Sequence, residues 1–183
     1  MKRLALLTAV VLVLLGSSSV LAGGWGIGGF AGVSIPVEQE DAENGMVYGV
    51  RGRLPAFWAL TFEPQVFMLK NGDYDLAFDE DQFETLKSWK ATSFGANLVL
   101  GAPVRQFAGI RPFIFGGVRF NSMDFDGRDA DSQFGFGAGI GLEIGTKTVG
   151  LEVRAAGEVF PDGKDSSRKN GLVTGGLNVY FGL

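Results

Sequence analysis

From Trp25 onward the chain alternates with a period of two residues, apolar on one side and small, polar or charged on the other, which is the spacing of a β-strand with two unlike faces. In the first such segment Trp25, Ile27, Ala31, Val33 and Ile35 share a face opposite Gly26, Gly28 and Ser34; in the second Tyr48, Val50 and Leu54 oppose Gly49, Arg51 and Arg53. The third sets Leu60, Phe62, Val66 and Met68 against Thr61, Glu63 and Gln65, and the fourth sets Phe94, Ala96, Leu98 and Leu100 against Ser93, Gly95 and Asn97. In the fifth, Ile114, Val118 and Phe120 oppose Arg111, Gly117, Arg119 and Asn121. The sixth is the most regular, with Phe134, Phe136, Ala138, Ile140, Leu142 and Ile144 alternating with Gln133, Gly135, Gly137, Gly139, Gly141 and Glu143. The seventh places Val149, Leu151, Val153 and Val159 against Glu152, Arg154 and Glu158, and the eighth Val173, Leu177, Val179 and Phe181 against Thr174, Gly176, Asn178 and Tyr180. No run carries the spacing of an amphipathic helix.

A soluble barrel would turn its apolar faces inward. The apolar faces here carry too many large side chains for that, because an eight-stranded barrel has an interior only just wide enough for modest ones. The opposite faces, rich in Gly, Ser, Thr and Asn with a few ions, fit inside. Segments of about ten residues, apolar outside and polar inside, are the signature of an outer-membrane barrel. The expected fold is therefore all-β: a transmembrane, antiparallel, up-and-down β-barrel of about eight strands.

The connections support this reading. Val37 to Gly45, Asn71 to Leu86, Ser122 to Ser132 and Phe160 to Asn170 read as long, Gly101 to Ala108 as intermediate, and Pro55 to Phe57 and Gly145 to Thr148 as short. Long outer loops alternating with short periplasmic turns are expected of such barrels. If the first strand runs outward from the periplasm, all four long connections fall on the outer side. Of the 20 acidic residues, 16 lie in them. The other four, Glu63, Glu143, Glu152 and Glu158, sit on inward faces, as do Arg51, Arg53, Arg111, Arg119 and Arg154. An ion facing lipid at mid-depth costs about 2–4 kcal/mol, so these nine are read as a paired network that plugs a polar lumen. The Thr146-Lys147 link suggests a register with Ile144 beside Val149 and Glu143 beside Gly150. In that register Glu143 and Arg111 share a network, Glu152 is close enough to join, and Arg51 pairs with Glu63 across the turn at Pro55. Aromatic residues band near strand ends, Trp25, Phe57, Trp58, Phe107 and Phe181 at one and Tyr48, Phe67, Phe120, Phe134 and Phe160 at the other, as interfacial girdles do.

The start of the chain has a different character. Met1-Lys2-Arg3, the apolar run Leu4 to Leu15 and Val20-Leu21-Ala22 form the three parts of a secretory signal peptide, too short in its apolar core to span a bilayer. Residues 1–22 are thus expected to be a cleaved leader and 23–183 the barrel.

At Ile110-Arg-Pro-Phe-Ile-Phe-Gly-Gly-Val-Arg-Phe120 and Phe134-Gly-Phe-Gly-Ala-Gly-Ile-Gly-Leu-Glu143 the chain resembles the small outer-membrane β-barrel superfamily that includes the OmpA transmembrane domain, OmpX and opacity-type surface proteins. The resemblance implies that the last strand carries the signal read by the barrel-assembly machinery, with Thr174 as its polar position, then Gly176, Val179 and aromatic Phe181. The chain departs from the usual form in ending on Gly182-Leu183. No peptidoglycan-binding module is expected after the barrel.

Little in the sequence points to chemistry. The chain of 183 residues has no His and no Cys, which removes Ser-His-Asp catalysis, thiolate nucleophiles, disulfides and Cys-based metal sites. Gly24-Trp-Gly-Ile-Gly-Gly29 has a dinucleotide-type glycine spacing but opens a strand rather than joining a strand to a helix. Glu143 and Glu152 read as salt-bridged plugs rather than an acid/base pair, and the acidic stretches Asp73 to Glu84 and Asp124 to Asp131 lack the full calcium-loop pattern. With no basic patch there is no nucleic-acid partner to expect. The expectation is a non-enzymatic protein without cofactor or metal, in contact with outer-membrane lipid, lipopolysaccharide and the assembly machinery. Its role would be structural or surface-interacting, through acidic extracellular loops. The alternative is a narrow pore or a small-solute transport barrel, as in OmpW-like proteins.

Overall fold

The computed structural model describes residues 24–37, 44–57, 59–70, 74–78, 82–86, 89–101, 109–125, 128–162 and 166–182, and within these all side chains except those of 57, 74–89, 123–131 and 161–168. The leader, Trp58 and Phe107 lie outside the described residues, and so do most of the acidic side chains.

Ten strands follow one another: β1 (Trp25–Pro36), β2 (Gly45–Phe57), β3 (Leu60–Lys70), β4 (Tyr74–Phe78), β5 (Gln82–Leu86), β6 (Trp89–Leu100), β7 (Gly109–Phe125), β8 (Arg128–Gly145), β9 (Val149–Asp162) and β10 (Ser166–Phe181). Eight of them close into an antiparallel barrel in the order β1-β10-β9-β8-β7-β6-β3-β2. β4 and β5 form a separate two-stranded hairpin inside the stretch expected to be one long loop. The barrel closes where β1 meets β10 over the register Trp25↔Phe181 to Pro36↔Asn170. The end carrying Trp25, Gly145 and Phe181 is called the near end below, and the opposite one the far end.

Alternation gives the face of nearly every residue. Phe136 (56% exposed), Ile140 (63%), Val118, Leu151 and Val66 point outward, whereas Glu63, Glu143, Asn97 and Asn178 are buried in the lumen. Two outward aromatic groups mark the wall: Trp25 stacks on Phe181 with centroids 4.6 Å apart, and Phe120 lies 4.9 Å from Phe94 and 5.2 Å from Phe134.

Two expectations about the interior and the loops are corrected. The lumen is not uniformly polar: Val47, Phe67, Leu69, Ala91, Phe160 and Leu172 form a buried apolar cluster inside it, and Val99, Phe113 and Phe115 a second. Phe67 and Phe160, each 3% exposed, therefore belong to the interior and not to a girdle. Glycines on the facing strand make the room. A Cβ on Gly139 would stand 2.7 Å from Phe115 Cζ and one on Gly135 2.8 Å from Phe160 Cδ1, while Phe113 and Arg119 press against Gly141 and Gly137 in the same way. The glycine column of β8 is thus a row of sockets for large inward side chains, which restores close packing. The stretches 122–132 and 160–170 are not long loops either. β7 and β8 stay paired up to Phe125↔Arg128, and β9 and β10 up to Ser166↔Asp162.

Phe136→Arg or Ile140→Arg puts a charge on the outward face near mid-strand and is expected to cost about 2–4 kcal/mol in a lipid-embedded barrel. Gln133→Arg, on the inward parity, should be far milder. Folding yields into lipid vesicles, read by the gel shift between unheated and boiled samples, check this; equal yields for the three variants would sink the assignment of faces.

Candidate functional site

The lumen gathers the ionisable residues of the strands. Arg53 on β2 stands at its centre, 1% exposed. Its Nε donates to Glu63 Oε2 at 3.1 Å, Nη1 donates to Glu143 and to the Tyr180 hydroxyl (2.6 Å), and Nη2 donates to Glu152. Arg154 on β9 grips Glu63 with both terminal nitrogens at 2.6 Å and donates from Nε to Glu152 Oε1 at 2.7 Å. Arg51 donates from Nη1 to Glu152 Oε1 at 2.5 Å. The Tyr180 hydroxyl donates to Glu143 Oε1 at 2.7 Å, and Asn97 and Asn178 donate to Glu63 and Glu152 at 3.2 and 3.3 Å. Charge-assisted bonds of this kind are about twice as strong as neutral ones, and the planar guanidinium can serve two or three carboxylates at once.

Arg111 joins from the near end, where Nη2 donates to Glu143 Oε1 at 3.1 Å. Glu152 reaches that pair through Arg53. Arg51 lies 3.9 Å from Glu63, while its close partner is Glu152 across the lumen. Arg119 and Glu158 form a second, smaller group at 2.8 Å, close enough for an ion pair but not aligned as a hydrogen bond, and Arg119 also reaches Asn97 Oδ1 at 3.4 Å.

The register between β8 and β9 differs from the one suggested by the sequence. Glu143 faces Glu152, Ile144 faces Leu151 and Gly145 faces Gly150. The reason is the Thr146 hydroxyl, which accepts the backbone N–H of Val149 at 3.2 Å while Thr146 N donates to Val149 O at 2.8 Å. The reversal therefore centres on Lys147-Thr148, one residue later than expected. Faces are preserved because the shift in pairing is even, but two carboxylates now stand opposite each other, and Arg53 bridges them.

The guanidinium groups also mark the boundary between charged and apolar layers. Arg51 lies 4.1 Å above the Phe30 ring, and Arg154 lies 4.9 and 4.8 Å from Phe113 and Phe115. Cation–π contacts of this geometry let a charge rest against an apolar neighbour. Between the layers is a cavity of about 30 Å³ lined by Arg51, Gln65, Asn97, Arg119, Arg154 and Glu158 among others. That is room for about two waters. The β10 residues singled out in the sequence lie along the closing seam: Thr174 is buried inward, Gly176 faces the lumen, and Phe181 is exposed against Trp25. Gly176 and Val179 pair with Phe30 and Ile27.

Solved structures share this architecture. Neisserial surface protein A (NspA) superposes with a TM-score of 0.65 at 17% identity, covering 86% of this chain and 97% of that one. The chain has the fold of the small outer-membrane barrels. Ail, the attachment invasion locus protein of Yersinia pestis, matches with a TM-score of 0.50 at 15% identity, over 88% of this chain and 100% of that one. No protein-family model matches the sequence, and no curated protein matches it significantly.

Arg53→Met should destabilise the barrel more than Arg111→Met. Arg53 touches three carboxylates at 1% side-chain exposure, and Arg111 touches one at 11%. Breaking one partner of a buried pair costs about 3–5 kcal/mol, and the double variant Arg111→Met with Glu143→Gln should be milder than the sum of its parts. Urea unfolding in lipid vesicles measures all four; strict additivity would mean the two residues do not interact.

Proposed function

We propose that the chain is exported, loses residues 1–22, and becomes an integral outer-membrane barrel whose role is structural and interactive, a filled anchor that presents its far-end connections at the cell surface. The single observation that carries this reading is the double filling of the lumen. A charged layer built on Arg53, Arg154, Glu63, Glu143 and Glu152 lies toward the near end, and an apolar layer of Val47, Phe67, Leu69, Phe160 and Leu172 toward the far end. An ion crossing the lumen would have to displace both. This weighs against the narrow pore or transport barrel, since hydrophobic constrictions oppose ion passage by excluding water.

Three further observations favour the anchor. Between the strand ends the described outward face is dominated by large apolar side chains, as a lipid-facing surface must be. The chain has no His or Cys, which fits a non-catalytic role. Two solved barrels of this shape are, by name, a surface protein and an attachment protein. Partners in this reading are membrane lipid and lipopolysaccharide around the barrel. The assembly machinery would act at Thr174, Gly176, Val179 and Phe181, and an unidentified extracellular partner at the acidic connections.

Reconstituted in a planar bilayer, the chain is expected to show no steady conductance. Arg53→Met combined with Glu152→Gln should leave it closed, because the apolar layer remains; adding Phe67→Ala and Leu69→Ala should open it. Gel migration of unheated samples confirms that each variant has folded. Steady conductance from the unaltered chain that changes when Arg51 or Arg111 is neutralised would favour the transport reading instead.

A further inference from the structure

We propose that Lys70 and Lys90 form a site for the phosphate of a lipid headgroup in the leaflet at the far end of the barrel, an inference that rests on the membrane reading above. The two lysines are the last cross-strand pair of β3 and β6. Both are exposed, and both share the outward parity of Met68 and Thr92, the exposed pair just below them. Directly opposed like charges destabilise a sheet, because the Cβ atoms are only about 5 Å apart. A phosphate oxygen cluster placed between the ammoniums turns one repulsion into two attractions, and lysine binds phosphate as a compact point charge.

Nothing among the described residues performs that neutralisation. Neither lysine makes an ion pair there, and the four carboxylates described in the barrel wall, Glu63, Glu143, Glu152 and Glu158, all face the lumen. The remaining register neighbours are Met46 beside Lys70 and Asp124 beside Lys90. Among the described side chains the pair therefore carries two positive charges and no facing carboxylate.

Depth selects a lipid as the source of the phosphate. Below Lys70 the outward positions of β3 are Met68, Val66, Pro64, Phe62 and Leu60, and below Lys90 those of β6 are Thr92, Phe94, Ala96, Leu98 and Leu100. Ten residues at about 3.3 Å each, tilted by about 40°, rise about 25 Å. That matches the height of the apolar band of an outer-membrane barrel, so the ammoniums stand at headgroup level with their methylene stems lying along the top of the band.

The test uses the chain folded into phosphatidylcholine nanodiscs doped with lipopolysaccharide, either intact or with its lipid A phosphates removed, followed by extraction into zwitterionic detergent and mass spectrometry of the retained glycolipid. Near an anionic surface each lysine is worth about a fivefold change in binding. The unaltered chain should retain the phosphorylated glycolipid over the dephosphorylated one, Lys70→Gln with Lys90→Gln should lose that preference by roughly tenfold or more, and Lys70→Arg with Lys90→Arg should keep it. Lys147→Gln, which removes the same charge from the near-end turn, should change nothing. Added inorganic phosphate should not displace the lipid, and displacement would mean that the pair takes any phosphate and has no lipid site. Unchanged retention in the double glutamine variant, with its gel shift intact, overturns the site alone, whereas failure of the unaltered chain to enter nanodiscs overturns the membrane reading and the site together.

Discussion

A guanidinium bridging carboxylates inside a closed barrel is the interaction on which the rest of this structure depends. Arg53 meets Glu63, Glu143 and Glu152 at once, and a buried charge is tolerated only when it is paired and its remaining donors are satisfied. The β8–β9 register makes the need concrete, because it sets Glu143 opposite Glu152. Without a shared cation that pairing would place two like charges side by side. With Arg53 between them and Arg154 and Arg51 behind, the same register ties four strands, β2, β3, β8 and β9, across the lumen as well as around the wall.

Charge alone does not fill the interior. Phe113, Phe115 and Phe30 lie against the guanidinium groups, and beyond them the lumen becomes apolar at Val47, Phe67, Leu69 and Leu172. Arg51 and Arg154 are amphipathic in this sense, hydrogen-bonded to carboxylates and set close to aromatic rings. The inward glycines of β8 complete the arrangement by giving up volume where Arg119, Phe113, Phe115 and Phe160 need it. A barrel of this size therefore achieves its packing through pairs of unequal residues, large on one strand and absent on the next.

The faces of the strands were legible because lipid tolerates no outward ion, so each inward charge fixed the parity of its segment. The interior was less so. Val66-Phe67-Met68-Leu69 is apolar at four consecutive positions, and in such a run alternation cannot say which residues are inside; only the neighbouring Glu63 and Gln65 fix Phe67 and Leu69 as inward. Phe160 has the parity of Glu158, an inward position that its place near a strand end conceals. The limits of the strands are hidden in the sequence for a related reason. Polar residues such as Ser122, Ser132 and Asp162 occupy paired positions there, and no alternation of apolar and polar residues along the sequence reveals a strand. The ion partners were the least legible part, since a network that spans the lumen is decided by which strands stand across from one another, and one hydroxyl, that of Thr146, moves a register by a full pair.

The same extension of the hairpins bears on the anchor role proposed above. The β7–β8 ladder continues past the last β8–β9 pair, Phe136↔Val159, as far as Phe125↔Arg128. β8 thus runs on from Gly135 to Arg128 beside β7 above that level, a rise along the strand of about 26 Å, with one irregularity in the ladder between Met123 and Phe125. A contact surface built on paired strands loses less conformational entropy on association than one built on a free loop, where each ordered residue costs about 1–2 kcal/mol in the backbone. In the anchor role proposed above, a far end held on paired strands would lower the cost of recognition there, and the filled lumen below would contribute to that contact without touching the partner.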